Sequence, residues 1–359
     1  MEISKLDTNF SLEAIPSDLE VIYYDVKELP FSVYGVKHDG RSFKRLPSEI
    51  ARSISGGVAS LCGNASGGRV TFETDSPFVA LVAEMTNVGK MPHFTTLGSC
   101  GFDLYADGSY YRSFLPNYGV RDGYASIVYF PQKQLRQLLL HFPLYSEVKA
   151  LYIGLAPGSQ IAPYRPYEPV PPIIYYGSSI TQGGCASRPG NAYPALIAQM
   201  DRIDFINLGF SGNAMGETAM AEYIAGLSMS AFVLDYDHNA PDTEHLERTH
   251  AAFYAAVRRA QPQLPILLVS RPDFDCSEDA AERRRIIYET YQQARQKDEP
   301  VRFVDGGTLW DALSRGASTV DGCHPNDLGF YLMALKIGAA LREMLPGLSD
   351  MEENRDSTR

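Results

Sequence analysis

The chain reads as two successive architectures, a β-sandwich and then a three-layer α/β domain on a parallel sheet. Three observations carry that expectation: short β-rich runs before residue 160, six prolines at positions 157–172, and strand-like runs alternating with helical periods thereafter. Its 359 residues, at roughly 150 per domain, allow two cores of ordinary size.

In the first half, Arg69–Thr74 and Phe78–Ala83 are β-rich and are bounded by Gly, Pro, Asp and Asn turn residues at short intervals. Helical periods are few there, so residues 1–160 are read as the sandwich. From Ala156 to Pro172 the prolines fall at 157, 163, 166, 169, 171 and 172. That is too many for a helix or an interior strand, and residues 161–172 are read as a linker.

From 173 to 348 the apolar runs 173–176, 205–208, 232–235, 266–269 and 301–304 predict strands. Helices are expected near 190–200, 215–227, 243–260 and 278–297. In the third of these, Leu246, Phe253 and Val257 form one stripe; a last helix is expected to bury Leu328, Leu332, Leu335 and Ala339. This alternation means βαβ units with helices on both faces, and such sheets carry their chemistry in loops at the carboxyl ends of the strands. Residues 349–359 are polar and are expected to fray.

Composition narrows the function. Apolar residues make up 45% and charged residues 21%, the values of an ordinary globular protein. A net charge of −11 repels phosphate backbones, and no window clusters Lys and Arg, which argues against nucleic acid as a partner. No run approaches the ~18 apolar residues of a membrane span. The acidic N-terminus, Met1 to Asp7, does not resemble a secretory segment. Five cysteines without a Cys-x-x-Cys pair argue against a disulfide framework or a thiolate zinc site. The expectation is a cytoplasmic protein without membrane partners.

Four loops carry groups suited to chemistry. The first α/β strand runs into Gly177-Ser178-Ser179-Ile180-Thr181-Gln182-Gly183-Gly184, where Ser179 on a tight turn can present its hydroxyl as a nucleophile. The same loop can equally cradle a phosphate through backbone N–H groups. Before the last helix lies Asp321-Gly322-Cys323-His324, in which the carboxylate can orient the imidazole and leave its other nitrogen free as a base. Taken alone, Asp321 caps a turn and His324 packs beneath it. The second strand ends near Gly212 and the third near Asn239, and a backbone N–H and a side-chain amide there can serve an oxyanion. Each feature alone is bland, but together in chain order, at strand or helix ends, they form a coherent site.

At these residues the chain resembles the SGNH, or GDSL-type, hydrolase family. Gly177-Ser178-Ser179-Ile180 is similar to its Gly-Asp-Ser-Leu block, Gly212 and Asn239 to its oxyanion positions, and Asp321 and His324 to its Asp-x-x-His. Upstream, Gly101-Phe102-Asp103-Leu104-Tyr105 resembles the Gly-x-Asp-Leu-Tyr signature of an N-terminal sandwich found in one branch of these esterases. The resemblance implies a jelly-roll-like sandwich ahead of a flavodoxin-like α/β domain. It departs at Ser178, where Asp is usual, and at Asp237-His238-Asn239-Ala240, where Gly-x-Asn-Asp is usual.

The implied function is a serine esterase removing short acyl groups, acetyl foremost, from a carbohydrate or another polar small molecule. Ser179 is then nucleophile, His324 base and Asp321 its orienting carboxylate; the N–H groups of Ser179 and Gly212 and the Asn239 amide stabilise the oxyanion. Arg271 and His238 are secondary candidates for substrate binding. No cofactor and no metal ligand is expected: His238, His245 and His250 make no credible set. The oligomeric state is open, and a homo-oligomer is compatible with the reading. Alternatives are an acyltransferase or thioesterase with the same triad, a flavodoxin-like phosphate-binding module, and an inert carbohydrate-binding protein.

Overall fold

The computed structural model describes Leu12 and residues 14–345. The readings of the acidic N-terminus and of the polar tail 349–359 lie outside the described residues.

Two antiparallel sheets form the first half. One orders Ile22–Asp25, Glu147–Leu155, Phe78–Thr86 and Gly123–Tyr129; the other orders Ile161–Ala162, Arg69–Thr74, Arg136–His141, Phe102–Ala106 and Ser109–Phe114, with Ser32–Tyr34 also paired to Arg69–Thr74. Alternate residues point inward, as the two-residue period of a strand requires. Val70, Phe72, Leu138 and Leu140 from one sheet meet Val79, Leu81, Leu151 and Ile153 from the other in a single core. Three short helices not foreseen from the sequence, Ser48–Ile54, Gly56–Leu61 and Thr96–Cys100, interrupt the strands. Within the proline-rich stretch, the proline-free pair Ile161–Ala162 joins the edge of the second sheet.

Five parallel strands form the sheet of the second half, in the order Phe205–Gly209, Ile173–Gly177, Ala231–Asp235, Ile266–Val269, Val301–Val304. Both faces are buried. Ile173 and Tyr175 pack with Ile197, Phe330 and Ile337 from the helices Tyr193–Asp201 and Asp327–Met344. Ile174 and Tyr176 face the other way, onto Thr218–Ala225, Thr243–Ala260 and Ala280–Gln296. In register, Gly177 lies beside both Gly209 and Asp235, so three strands end side by side and their loops share one rim.

The last helix turns a different face inward from the one expected. Phe330, Met333, Ala334, Ile337 and Leu341 are buried, whereas Leu328 is 43% and Leu335 38% exposed, Ala339 is exposed and Leu332 is half-buried. Apolar residues ring this helix at 328, 330, 332, 333, 335 and 337, so periodicity offers two stripes. Packing against the sheet selects the one carrying Phe330. The stripe Leu246, Phe253 and Val257 is buried as expected.

Buried polar contacts join the halves. Phe205–Gly209 is an edge strand with outward carbonyls, which need donors if water is excluded. Arg69, fully buried, donates to Phe205 O at 2.9 Å and pairs with Asp204 at 2.7 Å. Arg45 donates to Asn207 O at 3.3 Å and to Gly209 O, and its guanidinium lies 4.4 Å from the Phe210 ring. Burial lowers the Arg45 pKa to about 10, which leaves it cationic at neutral pH. The Asp103 carboxylate, from the Gly-x-Asp-Leu-Tyr run, accepts from Arg188 at 3.0 Å and from Gly190 N at 2.8 Å, while Tyr105 OH accepts from Arg188 at 2.7 Å. Among the described residues no helix is long and apolar enough to cross a membrane.

The choice of helix face is testable by chemical denaturation. Ile337→Ala should cost about 2–5 kcal/mol through the cavity it leaves. Leu335→Ala should cost about 0.5 kcal/mol or less; the reverse order would show that the helix is turned the other way.

Candidate active site

The strand Ile173–Gly177 delivers the chain to the rim, and the turn that follows is set by local chemistry. A side chain at Gly177 would meet Thr181 Oγ1 at 2.0 Å and Asp235 O at 2.5 Å, so only glycine fits. Ser178 then accepts from Ile180 N at 3.1 Å and caps the short helix Ser179–Gln182. A hydroxyl thus does the capping where the resembling family has a carboxylate.

Ser179 Oγ lies 3.0 Å from His324 Nε2, and His324 Nδ1 lies 2.8 Å from Asp321 Oδ2. The structure therefore brings all three residues into one hydrogen-bonded line. Asp321 serves both readings of its loop at once, using different oxygens. Oδ1 accepts from the N–H of Cys323 at 2.9 Å and of His324 at 2.7 Å, closing the turn, while Oδ2 holds the imidazole. Partial burial pushes the Asp321 carboxyl up, but these hydrogen bonds outweigh it and bring its pKa down to about 2. It is ionised at any working pH. Ser179 is only 6% exposed, so its hydroxyl is recessed, and the His324 ring against it is mostly buried.

The Gly212 and Asn239 loops meet beside this line. Gly212 has φ +64, and a side chain there would meet nothing within 4 Å. Neither Ser179 N–H nor Gly212 N–H has a hydrogen-bond partner among the described residues. Asn239 Nδ2 donates to Phe210 O at 2.9 Å, which ties its turn to the Gly212 loop and leaves one amide hydrogen to aim elsewhere. The buried Asp237–Arg283 pair at 3.2 Å holds the same turn from behind, with Arg283 also donating to Ala240 O at 3.0 Å.

Each of the two secondary candidates has a polar partner, while the buried His238 Nδ1 and Arg271 Nε have none among the described residues. Arg271 Nη2 lies 2.8 and 2.7 Å from the two carboxylate oxygens of Asp275, and its backbone N–H donates to Asp237. His238 Nε2 lies 2.9 Å from Cys323 Sγ; burial, then Arg271 and His324, lower its pKa to about 4, so it is neutral. His245 and His250 turn to Met215 O and Thr290, away from any shared site.

Three residues near the line escaped sequence reasoning. Gln182 donates to Leu144 O of the sandwich at 3.1 Å and accepts from Ser211 N at 3.0 Å, fixing the Gly212 loop against the first half. His93, in the segment between Phe78–Thr86 and Thr96–Cys100, puts Nε2 3.6 Å from Asp321 Oδ2. Cys185, with φ +74, is buried beside the same carboxylate; burial, then Asp321 and Cys323, push its thiol up to about 12. It is thus a protonated thiol and no rival nucleophile at neutral pH. The partners of these residues are distant in sequence, so no local pattern marks them.

Beneath the site, Asp235 is buried at its strand end and accepts from Thr181 Oγ1 and Tyr193 OH, each at 2.9 Å. Desolvation outweighs those bonds and raises its pKa to about 7.

The chain is similar to known proteins over most of its length. The sequence model of the GDSL-like lipase/acylhydrolase family matches residues 171–342, and that of the N-terminus of SGNH-hydrolase-type esterases matches residues 21–161. A protein from Bacteroides ovatus described as a GDSL-like lipase is 29% identical, over 91% of this chain and 98% of that one, with a TM-score of 0.81. A salicylyl-acyltransferase from a tetracycline biosynthetic pathway shares the fold at 20% identity, over 92% and 98%, with a TM-score of 0.74. So does a family two carbohydrate esterase from Clostridium thermocellum in complex with cellohexaose, at 16% identity over 78% and 93%, with a TM-score of 0.57. No curated protein matches the chain.

Asp235 supplies a pH test with a definite sign. Its folded pKa of about 7 exceeds the ordinary value of about 3.9, so between those limits the folded chain holds more protons than the unfolded one. This contribution to stability is full below about pH 4 and fades as pH rises through about 7. Asp235→Asn should flatten that decline in denaturation midpoints measured across the range; an unchanged slope would assign the decline to other groups.

Proposed function

The chain belongs to the GDSL-like lipase/acylhydrolase family with an N-terminal domain of the SGNH-esterase type, and from that premise we propose that it is a serine esterase. Its substrates are short-chain acyl esters, acetyl foremost, of a carbohydrate or similar polar alcohol. One observation carries the reading: the line Ser179–His324–Asp321, with contacts of 3.0 and 2.8 Å.

His324 Nε2 takes the proton from Ser179 as Oγ attacks the ester carbonyl carbon. Asp321 keeps the other ring proton on Nδ1, so that Nε2 offers its lone pair, and its charge supports the imidazolium that forms. The free N–H groups of Ser179 and Gly212, with the second hydrogen of the Asn239 amide, donate to the developing oxyanion. His324 returns the proton to the leaving alkoxide. Water then attacks the acyl-enzyme, with His324 again as base, and the acid leaves. Exposure of Gly212 and of Asp321 favours water as the acceptor, because the rim stays wet. The carbohydrate part of the reading draws on the fold shared with carbohydrate esterases.

Two substitutions test the roles. Ser179→Ala should lower turnover of p-nitrophenyl acetate by at least about 10³-fold with an unchanged circular dichroism spectrum; undiminished turnover removes Ser179 from the chemistry. Asn239→Ala should lower kcat by about 10²–10³-fold with little change in KM. Assay of acetylated sugars beside p-nitrophenyl esters of increasing chain length reads the acyl and alcohol preference.

A further inference from the structure

His93, Cys185, Asp321 and His324 each bring a metal-ligating atom into one cluster, and these atoms all lie within 4.8 Å of one another. Zinc holds sulfur at about 2.3 Å and nitrogen or oxygen at about 2.0–2.2 Å, which sets tetrahedral ligand atoms roughly 3.3–3.8 Å apart. The wider pairs, at most 4.8 Å apart, must close by up to about an ångström, while Asp321 Oδ2 and His324 Nδ1, 2.8 Å apart, must separate by roughly half an ångström if both ligate.

The donor set has the character of a transition-metal site. A thiolate, two imidazoles and a carboxylate suit a borderline-soft cation rather than magnesium or calcium. The thiolate and the carboxylate supply two negative charges, which neutralise a divalent cation. Two members have no other polar task among the described residues. The Cys185 thiol makes no hydrogen bond, and the imidazole nitrogens of His93 contact only Asp321 Oδ2, at 3.6 Å. Cys185 also occupies the left-handed region at φ +74, where a non-glycine residue is disfavoured. That conformation holds its side chain against the carboxylate.

We propose that His93, Cys185, Asp321 and His324 bind a thiophilic divalent cation, zinc foremost, and that the bound cation switches hydrolysis off. Binding releases the thiol proton to solvent and takes up the Asp321 carboxylate and a lone pair of His324. Both groups are then withdrawn from the proton transfer that Ser179 needs. His93 comes from the first half of the chain and the other three from the second, so the cation would also clamp the halves across the rim. The inhibition rests on the esterase reading; the binding does not.

The experiment uses the chelator-treated full chain, titrated with zinc chloride against a chromophoric indicator and separately with cobalt(II). The expected result is one equivalent bound, a thiolate-to-cobalt charge-transfer band, and loss of p-nitrophenyl acetate turnover that EDTA restores. Cys185→Ser should abolish the band, and both Cys185→Ser and His93→Gln should weaken zinc binding by at least about tenfold. Ser179→Ala should bind zinc as the parent does, since Ser179 is not a ligand. Zinc binding with the band, in a parent that turns over no ester, supports the site and overturns the esterase reading alone. Absence of the band in the parent, or zinc affinity unchanged in both Cys185→Ser and His93→Gln, overturns the site.

Discussion

A hydroxyl and an imidazole 145 residues apart in the chain must meet at 3.0 Å, and much of the surrounding structure serves that constraint. The parallel sheet solves the first part by ending Gly177, Gly209 and Asp235 in register, so that loops from three strands share one rim. The second part falls to Asp321, whose two oxygens close the turn and hold the ring. A carboxylate used for the turn alone would leave the imidazole free to rotate. One used for the ring alone would leave the loop unanchored.

The first half of the chain is more than an appendage in this arrangement. Arg45 and Arg69 meet the outward carbonyls of the edge strand Phe205–Gly209, which leads directly into the Gly212 loop. Without them the edge would need water or another strand. Asp103 and Tyr105 grip Arg188 and Gly190, just after the Ser179 turn, which gives the Gly-x-Asp-Leu-Tyr run a physical meaning. Its aspartate and tyrosine reach across to the second half while Leu104 stays in the sandwich core. Gln182 answers from the other side, linking Leu144 O to Ser211 N. Buried charges are costly unless paired, and the pairs Arg69–Asp204 and Arg188–Asp103 each join one half to the other.

The legibility of the sequence followed the range of the interactions. Strands 173–176 and 266–269 could be read because both-face burial makes each a continuous apolar run between turn residues. The serine turn and Asp-x-x-His could be read because their partners lie within a few residues. The last helix was misjudged because it is apolar on two stripes, and only contact with the sheet distinguishes Phe330 from Leu328. The short helices 48–54 and 56–61 carry too few turns for periodicity to appear. His93, Cys185 and Gln182 were missed for a simpler reason: each acts on residues far along the chain, and no spacing records such a meeting. Arg271 pairs with Asp275, four residues on, a local ion pair of the kind an arginine at a sheet end commonly makes.

The central claim is that Ser179 is the one hydroxyl made nucleophilic by His324 and Asp321. A fluorophosphonate probe reports this directly when the labelled protein is digested and the adduct mapped by mass spectrometry. The account predicts a single phosphonylated residue, Ser179, with labelling lost when His324 is replaced by alanine. An adduct on a different residue, or an unlabelled Ser179 in a preparation that turns over esters, would contradict it.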